Sequence, residues 1–174
     1  MTIKPLFDAG TIAERVAELG GAITQDYAGK NLVVVPVLKG SYVFAADLVR
    51  HIDLDVAIDF LGVRSYGDDQ NSSGVVQITS DLSRSIEGKH VILVEDIVDT
   101  GLTISYLHEN LSTRQPASLK IASLLHKPAR TRVPVQIDYL GFTIDDVFVV
   151  GYGLDYGQKF RNLPYLGIVA DEDR

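Results

Sequence analysis

Short apolar segments with no polar interruption recur along this chain, and segments of helical character separate them. Leu32–Leu38 (LVVVPVL) and residues 91–94 (VILV) are the two clearest apolar segments, and such runs are typical of strands covered on both faces. Residues 41–51 and 103–111 follow these two runs and are predicted to be helices. Strands that alternate with helices predict the α/β class, with a mostly parallel central sheet flanked by helices.

The remaining elements extend this pattern. Thr11 and Glu14 have the spacing of a capping box, and apolar residues recur every three or four positions after Thr11, so a helix is predicted to begin there. Apolar and acidic residues alternate over positions 54–60, as in a half-buried strand. At 174 residues, the chain is expected to form a single domain, residues 1–174. Further short strands are predicted at residues 119–125, 139–142, 147–150 and 165–169.

The composition argues against two classes of partner. The formal net charge is −7 and the 16 lysine and arginine residues are scattered, whereas nucleic-acid binding requires clustered basic residues. No apolar run approaches the roughly 20 residues that span a bilayer, and the first ten residues lack the apolar stretch of a signal peptide. The chain has no cysteine, which is compatible with a reducing compartment. We therefore expect a cytoplasmic protein without a nucleic-acid or membrane partner.

Residues 91–103 (VILVEDIVDTGLT) combine a buried strand, several acidic residues and the start of a helix. The free N–H groups and the dipole of a helix N-terminus favour an anion. Gly101 allows the backbone to approach a ligand closely, and the hydroxyls of Thr100 and Thr103 can donate further hydrogen bonds. The segment therefore predicts a phosphate-binding loop.

Three carboxylates, Glu95, Asp96 and Asp99, stand beside this predicted phosphate site, and like charges repel. The conflict disappears if ribose hydroxyls and a magnesium ion occupy the carboxylates, because carboxylates accept hydrogen bonds from hydroxyls and hold magnesium. A phosphorylated sugar that carries a magnesium-bound pyrophosphate meets all of these requirements. The alternative is an ordinary strand–turn–helix junction capped by Asp99 or Thr100, but a cap needs one acid rather than three.

The segment resembles the phosphoribosyl-pyrophosphate motif of type I phosphoribosyltransferases, in the form seen in the hypoxanthine-guanine phosphoribosyltransferases. The similarity covers about residues 32–169 and includes further segments in the family's order, at residues 38–41 (LKGS), 64–67 (RSYG) and 148–161. The resemblance implies the type I phosphoribosyltransferase fold and a requirement for Mg²⁺. It also implies that phosphoribosyl pyrophosphate reacts with hypoxanthine or guanine in purine salvage to give IMP or GMP and pyrophosphate.

The same resemblance implies roles for the residues around the reacting sugar. Asp99 would be the catalytic base that takes the purine N7 proton. Some relatives have a basic residue where this chain has Leu102, so the backbone amides would contribute more of the phosphate binding here. The 5-phosphate would be bound by Asp99, Thr100, Gly101, Leu102 and Thr103.

The leaving group and the metal are assigned to other residues by the resemblance. Pyrophosphate would be bound by Lys39, Gly40 and Arg161, and the Leu38–Lys39 peptide bond is expected to be cis. The metal ligands would be Glu95, Asp96 and Asp155.

The resemblance also implies a purine site and a lid. Lys127 would donate to the purine O6 atom, Phe148 would stack on the base, Val149 would offer backbone hydrogen bonds, and Asp155 would lie near the exocyclic position. A flexible lid at about residues 64–74 would close over the site through Ser65 and Tyr66, and the C-terminal part would form a purine-binding hood. Family members commonly form homodimers or homotetramers.

Three other functions remain open from the sequence. A relative that prefers xanthine or another single purine would differ only in pocket geometry. A non-catalytic regulator that kept the sugar-phosphate fold is disfavoured because Asp99, Lys39 and the lid segment are all present. A nucleotide-binding redox domain is disfavoured because the chain has neither a G-x-G-x-x-G segment nor a P-loop.

Overall fold

A computed structural model describes the backbone of residues 2–68 and 71–170, and the side chains of residues 2–65 and 75–170. No helix in this part of the chain is long and apolar enough to cross a membrane. The α-helices are α1 (Ala9–Asp26), α2 (Tyr42–Arg50) and α3 (Leu102–Ser112), and a 3-10 helix spans Pro128–Arg130. The strands are β1 (Ile3–Phe7), β2 (Leu32–Leu38), β3 (Ala57–Ile58), β4 (Leu61–Asp68), β5 (Asn71–Ser80), β6 (His90–Val98), β7 (Ser118–His126), β8 (Tyr139–Thr143), β9 (Val149–Val150) and β10 (Leu166–Val169).

The central sheet has the strand order β5-β4-β2-β6-β7-β8, with β3 paired to β2. The pairs β2–β3, β2–β4, β2–β6, β6–β7 and β7–β8 are parallel, and β4–β5 is antiparallel. A smaller antiparallel sheet has the order β1-β10-β9. The predicted α/β class with a mostly parallel sheet is confirmed. Because parallel neighbours end at the same edge, the carboxyl ends of β2, β6 and β7 lie side by side.

Alternate residues of the central strands pack against helices on opposite faces of the sheet. Val34 and Ile92 belong to a core cluster that also contains the apolar sides of α1 and α2. Their sequence neighbours Val33 and Leu93 belong to a second cluster that contains the apolar side of α3. The uninterrupted apolar runs of β2 and β6 arise because both faces of these strands are covered.

The first helix begins earlier than the capping-box spacing predicts. Asp8 is the N-cap residue, and its carboxylate accepts a hydrogen bond from the backbone N–H of Thr11 at 2.7 Å. This bond lowers the pKa of the Asp8 carboxyl. The prediction that the helix starts at Thr11 was wrong because Thr11 donates to the cap from the first turn instead of serving as the cap itself.

The segment predicted as a loop at residues 64–74 lies in a hairpin of two long strands. Arg64 pairs with Gln77, and Tyr66 pairs with Val75, in the antiparallel β4–β5 ladder. A polar segment can form such a ribbon because an antiparallel pair at the sheet edge can face water. Residues 69 and 70 and the side chain of Tyr66 lie outside the described part of the chain. Movement of this hairpin as a lid stays a prediction.

The alternating segment at residues 54–60 contributes a much shorter strand than predicted. Ala57 and Ile58 pair with Val33 and Val34 of β2. The Asp59 carboxylate then accepts hydrogen bonds from the backbone N–H groups of residues 83 and 84, at 2.8 and 3.2 Å. The backbone N–H of Asp59 still donates to the carbonyl oxygen of Val34 in β2 at 3.1 Å, so the segment stays beside β2 although its regular strand ends at Ile58.

Arg15 ties α1 to the edge strand β8. Its Nε donates to the carbonyl oxygen of Gly141 at 3.0 Å, and its Nη2 donates to the carbonyl oxygen of Leu140 at 2.6 Å. Strand β8 is the last strand of the sheet, so Arg15 donates to carbonyl groups of an edge strand. The helix therefore protects the sheet edge as well as covering its face.

We expect Arg15→Met to lower the free energy of unfolding by about 1–3 kcal/mol, because hydrogen bonds from a charged donor contribute in this range. Urea denaturation followed by far-ultraviolet circular dichroism measures the change. Arg50→Met is the matched control, since Arg50 is exposed and forms a helical ion pair with Asp47 at 2.9 Å; its effect should stay below about 1 kcal/mol. Equal effects of the two substitutions would contradict a special role for Arg15.

Candidate active site

The carboxyl ends of β2, β6 and β7 bring three loops together at one edge of the central sheet. Strand β6 runs four residues beyond the predicted apolar segment, and Ile97 and Val98 still pair with Leu125 and His126 of β7. The predicted turn at residues 95–101 is therefore shorter than expected. Lys127 N–H donates to the carbonyl oxygen of Val98 at 3.0 Å, which fixes the start of the β7 loop against the end of β6.

The predicted phosphate-binding loop is the connection between β6 and α3. Gly101 is the N-cap residue of α3 at φ 85°, a backbone conformation that favours glycine. A Cβ atom at Gly101 would lie 2.1 Å from the carbonyl oxygen of Val133. The hydroxyl oxygen of Thr100 accepts a hydrogen bond from Leu102 N–H at 3.3 Å, and the carbonyl oxygen of Thr100 accepts from Val133 N–H at 3.0 Å. The loop is thus held from outside by the segment after β7.

A small cavity of about 70 Å³ opens in front of this loop. The first turn of α3 begins here, where backbone N–H groups lack partners within the helix and the positive end of the helix dipole lies at the cavity. Such a cradle favours an anionic oxygen. The cavity is lined by Glu95, Ile97, Val98, Asp99, Thr100, Gly101, Thr103 and Ile104, which include four of the five predicted phosphate-binding residues.

Asp99 has a cationic neighbour that the sequence did not indicate. The Nε atom of Arg130 lies 3.2 Å from Asp99 Oδ1, and each side chain is about one-third exposed. The Oδ1 atom itself is buried without a hydrogen-bond partner in the described structure, so the contact is a charge pair whose angle does not suit a hydrogen bond. Arg130 lies in the 3-10 helix after Lys127, where a loop arginine carries no distinctive sequence signal.

Glu95 and Asp96 form a pair of neighbouring carboxyl groups at the end of β6. Glu95 is 7% exposed, and its burial, followed by the nearby Asp96 charge, raises the pKa of Glu95 well above its usual value. Burial also raises the pKa of Asp96, although the hydrogen bond from Ile97 N–H at 2.8 Å opposes the shift. Buried acids of this kind cost free energy unless a cation or donor joins them. They are therefore suited to a ligand that brings positive charge or hydroxyl groups.

The loop after β2 lies directly against Asp96. The Leu38–Lys39 peptide bond is cis, as predicted from the resemblance. A Cβ atom at Gly40 would lie 1.8 Å from Asp96 Oδ2, so the presence of glycine allows the two loops to meet. Ser41 is buried, and its hydroxyl donates to the carbonyl oxygen of Val37 at 2.6 Å, which closes the turn into α2.

Arg161 and Asp155 lie across this loop and form an ion pair of 2.9 Å. Arg161 also donates to the carbonyl oxygen of Gly153 at 2.8 Å. A Cβ atom at Gly153 would lie 2.2 Å from the carbonyl oxygen of Gly40, so the two predicted pyrophosphate-binding segments are in close contact. Asp155, predicted as a metal ligand, is paired with an arginine in this structure.

A cleft of about 660 Å³ runs between the loop after β2, the β4–β5 hairpin and the segment that carries Arg161. Lys39, Arg161 and Ser65, all predicted site residues, face it together. Arg64 and Gln158 also line it, and the sequence did not identify either as a ligand-binding residue. The complete lining is Leu38, Lys39, Gly62, Val63, Arg64, Ser65, Thr79, Gln158 and Arg161.

The predicted purine-binding residues lie beyond these two cavities. Lys127 is 6% exposed and its Nζ lies 3.8 Å from Asp146 Oδ1. Phe148 makes an edge contact with Tyr156, with ring centroids 5.5 Å apart. Val149 is buried in β9, where it pairs with Ile168. Neither of the two cavities described above includes these residues in its lining.

The buried state of Glu95 generates a stability prediction. An acid whose folded pKa exceeds its unfolded value binds a proton more tightly when folded, so stability falls as pH rises above the unfolded value of about 4.5. In metal-free buffer, Glu95→Gln should therefore increase the free energy of unfolding relative to the parent, and the difference should grow between pH 5 and pH 8. Urea denaturation across this range measures it. Glu14→Gln, on the exposed side of α1, should show no such trend; a constant difference for Glu95→Gln would contradict the prediction.

Comparison with known proteins identifies the family of this chain. The model of the phosphoribosyl transferase domain matches residues 3–157. The chain is 50% identical to the hypoxanthine-guanine phosphoribosyltransferase of Dictyostelium discoideum, over 99% of this chain and 98% of that protein. It is 48% identical to the hypoxanthine phosphoribosyltransferase of Haemophilus influenzae, over 98% of this chain and 97% of that protein.

Solved structures give the same result. A hypoxanthine phosphoribosyltransferase from Staphylococcus aureus superimposes with a TM-score of 0.93 at 46% identity, covering 97% of this chain and 92% of that one. A hypoxanthine-guanine phosphoribosyltransferase from Bacillus anthracis superimposes with a TM-score of 0.92 at 45% identity, covering 97% of this chain and all of that one (100%). Together with the cradle of α3 and the neighbouring acid pair, these matches show that the chain belongs to the type I phosphoribosyltransferase family, among its hypoxanthine-guanine members.

Proposed function

We propose that this protein transfers the 5-phosphoribosyl group of phosphoribosyl pyrophosphate to hypoxanthine or guanine, giving IMP or GMP and pyrophosphate in purine salvage. The relatives that match nearly the whole chain support this activity. The structural observation that carries the proposal is the anion cradle at Gly101, whose cavity is also lined by the buried Glu95, next to the half-buried Asp96. A phosphorylated sugar is a small ligand that presents a phosphate and hydroxyl groups together.

Magnesium fits the donors at this site. Among the described residues, no group of three or more Asp, Glu, His or Cys side chains forms a cage for a metal. Mg²⁺ seldom needs such a cage, because it is usually held by one or two carboxylates together with waters and substrate phosphates. Glu95 and Asp96 supply such carboxylates, and we propose them as contacts to Mg²⁺ and the ribose hydroxyls. When bound, the metal would stabilise the negative charge that grows on pyrophosphate.

Asp155 has a different position within this proposal. Its carboxylate is engaged by Arg161 at 2.9 Å and by Gln158 N–H at 2.8 Å. A role as a second metal contact, as the resemblance implies, requires that these bonds loosen or that the metal binds a remaining lone pair. We propose that Asp155 also holds the Arg161 guanidinium in place.

The leaving pyrophosphate is assigned to Lys39, Gly40 and Arg161. Lys39 and Arg161 face one cleft of about 660 Å³, and their positive charges would offset the protein's net charge of −7 at this point. Ser65 lines the same cleft. It supports the proposal that the β4–β5 hairpin closes over the substrate and excludes water, with Tyr66 beside it.

Asp99 is proposed as the general base. As the bond between the anomeric carbon and pyrophosphate breaks, a purine nitrogen forms the new bond to that carbon, and the N7 proton must leave. Asp99 lies at the edge of the phosphate cavity with one oxygen that accepts no hydrogen bond in the described structure. The ion pair of this oxygen with Arg130, at 3.2 Å, helps to orient the carboxylate, and we propose that the carboxylate takes the proton through its other oxygen.

The purine itself is assigned to Lys127, Phe148 and Val149, with Asp155 near the exocyclic position. Lys127 is a buried cation that can donate to the 6-oxo group, and Phe148 is a partly exposed ring that can stack on the base. The carbonyl oxygen of Phe148 already accepts from Val169 N–H at 3.0 Å, so the strand that carries Val149 is firmly positioned beside the ring.

The assembly and location of the protein form a separate part of the proposal. We propose a cytoplasmic homodimer or homotetramer. A structural study of the hypoxanthine phosphoribosyltransferase of Trypanosoma cruzi concerns the role of its C-terminal region in oligomeric state, which supports an oligomer here.

The activity is tested by pyrophosphate release with Mg²⁺, phosphoribosyl pyrophosphate and each of four bases. Hypoxanthine and guanine should react at least about 100-fold faster than adenine. A pocket that donates a hydrogen bond to the 6-oxo group would face the 6-amino group of adenine, which cannot accept that bond, so the protein donor would be left unpaired. Fast turnover of adenine would contradict the assignment, and xanthine turnover above both would indicate a xanthine-preferring relative. No release with any base would favour the regulator.

Asp99→Asn should lower kcat by about 10²–10⁴-fold, since the amide cannot take the purine proton. The KM for phosphoribosyl pyrophosphate should change much less, because the backbone cradle remains. Initial rates at saturating substrate measure this, with thermal unfolding as a check on the fold. A kcat within about threefold of the parent would show that Asp99 is not the base.

A further inference from the structure

The two cations assigned to pyrophosphate already share a ligand within the chain. The Oε1 atom of Gln158 lies 3.2 Å from Arg161 Nη2 and 3.4 Å from Lys39 Nζ. Both nitrogens donate to this one amide oxygen. A carbonyl oxygen between two cations resembles an oxygen of a phosphate group in position and partial charge, although it has no formal charge.

A tight turn places the Gln158 side chain between Lys39 and Arg161. Tyr156 and Lys159 exchange two backbone hydrogen bonds of 3.1 Å, and the residues between them, Gly157 and Gln158, have φ angles of 57° and 66°. This is the geometry of a two-residue hairpin turn in which both central residues have positive φ. Glutamine adopts that conformation rarely. Gln158 N–H donates to Asp155 Oδ2 at 2.8 Å, which ties the turn to the partner of Arg161.

The Gln158 side chain also faces open space. It lines the cleft of about 660 Å³ together with Lys39, Arg64, Ser65 and Arg161. The amide oxygen therefore lies where a ligand from the cleft would meet the two cations. A long-range contact of this kind, 119 residues apart in the sequence, is not needed to close the turn, which its backbone bonds already secure.

We propose that the Gln158 amide is an internal competitor for the diphosphate group: it occupies Lys39 and Arg161 when the cleft is empty, and diphosphate displaces it on binding. This inference rests on the proposed function, which assigns those two cations to pyrophosphate. The return of the amide as pyrophosphate leaves would speed product release, a step that often limits turnover in such enzymes. A neutral competitor suits this purpose, because a carboxylate would hold the cations too strongly.

The test is the dissociation constant of magnesium pyrophosphate, measured by titration calorimetry on the full chain. Gln158→Met keeps the length of the side chain but removes the oxygen, and should tighten binding by about threefold. Gln158→Glu keeps the shape and adds a charge, and should weaken binding by about tenfold. Gln158→Gly suits the positive φ and also lacks the oxygen, so it should tighten binding even if the methionine variant folds poorly.

Two controls separate this inference from the proposed assignment of the cleft to pyrophosphate. Gln25→Glu adds the same charge on the exposed end of α1 and should leave the dissociation constant unchanged. Lys39→Met should weaken pyrophosphate binding; if it does not, the assignment of the cleft is wrong. The inference is wrong if Lys39→Met weakens binding but neither Gln158→Met nor Gln158→Gly tightens it. Weaker binding by the two Gln158 variants would mean that Gln158 contacts pyrophosphate, and unchanged binding would mean that Gln158 has no role in it.

Discussion

Two carboxyl groups held side by side at the end of the middle strand of the sheet are the constraint on which the active site depends. Burial raises the pKa of both carboxyl groups, and the Asp96 charge raises the pKa of Glu95 further, whereas a hydrogen bond with Glu95 partly offsets the shift at Asp96. The parallel sheet creates this position, because β6 lies between β2 and β7 and its carboxyl end is covered by their loops. The site thus stores an electrostatic cost that a metal-bound sugar can relieve on binding.

Close contacts at three glycines bring the loops together around this pair. Gly40 allows Asp96 to approach the loop after β2, Gly153 lies against the carbonyl of Gly40, and Gly101 lies against the carbonyl of Val133. Each contact joins a loop of the sheet edge to a segment distant in sequence. A Cβ atom at Gly101 or Gly153 would overlap a backbone carbonyl oxygen, and one at Gly40 would displace the Asp96 carboxylate, so the relative positions of these loops depend on the three glycines.

The sequence predicts the central strands and the phosphate-binding loop better than the edge hairpin and the loop contacts. The runs in β2 and β6 were clear because both faces are covered, and the acids next to a glycine-containing helix start indicated a sugar phosphate. Residues 64–74 are predicted as a loop because they are polar and contain glycines, and their pairing in the β4–β5 ladder leaves no apolar pattern within this segment. Arg130 and Gln158 were missed for a related reason. Their contacts with Asp99 and Lys39 arise from tertiary folding, and neither residue type is distinctive in a loop.

The small sheet β1-β10-β9 connects the first strand of the chain to the two strands that flank residues 151–165. Its central strand, Leu166–Val169, pairs on one side with Ile3–Phe7 and on the other with Val149–Val150. The segment that carries Asp155, Gln158 and Arg161 is the connection between β9 and β10, so the first strand of the chain supports this connection through its pairing with β10. Substitutions in residues 3–7 that weaken this pairing would therefore shift that connection through the backbone ladder, although the two segments lie far apart in the sequence.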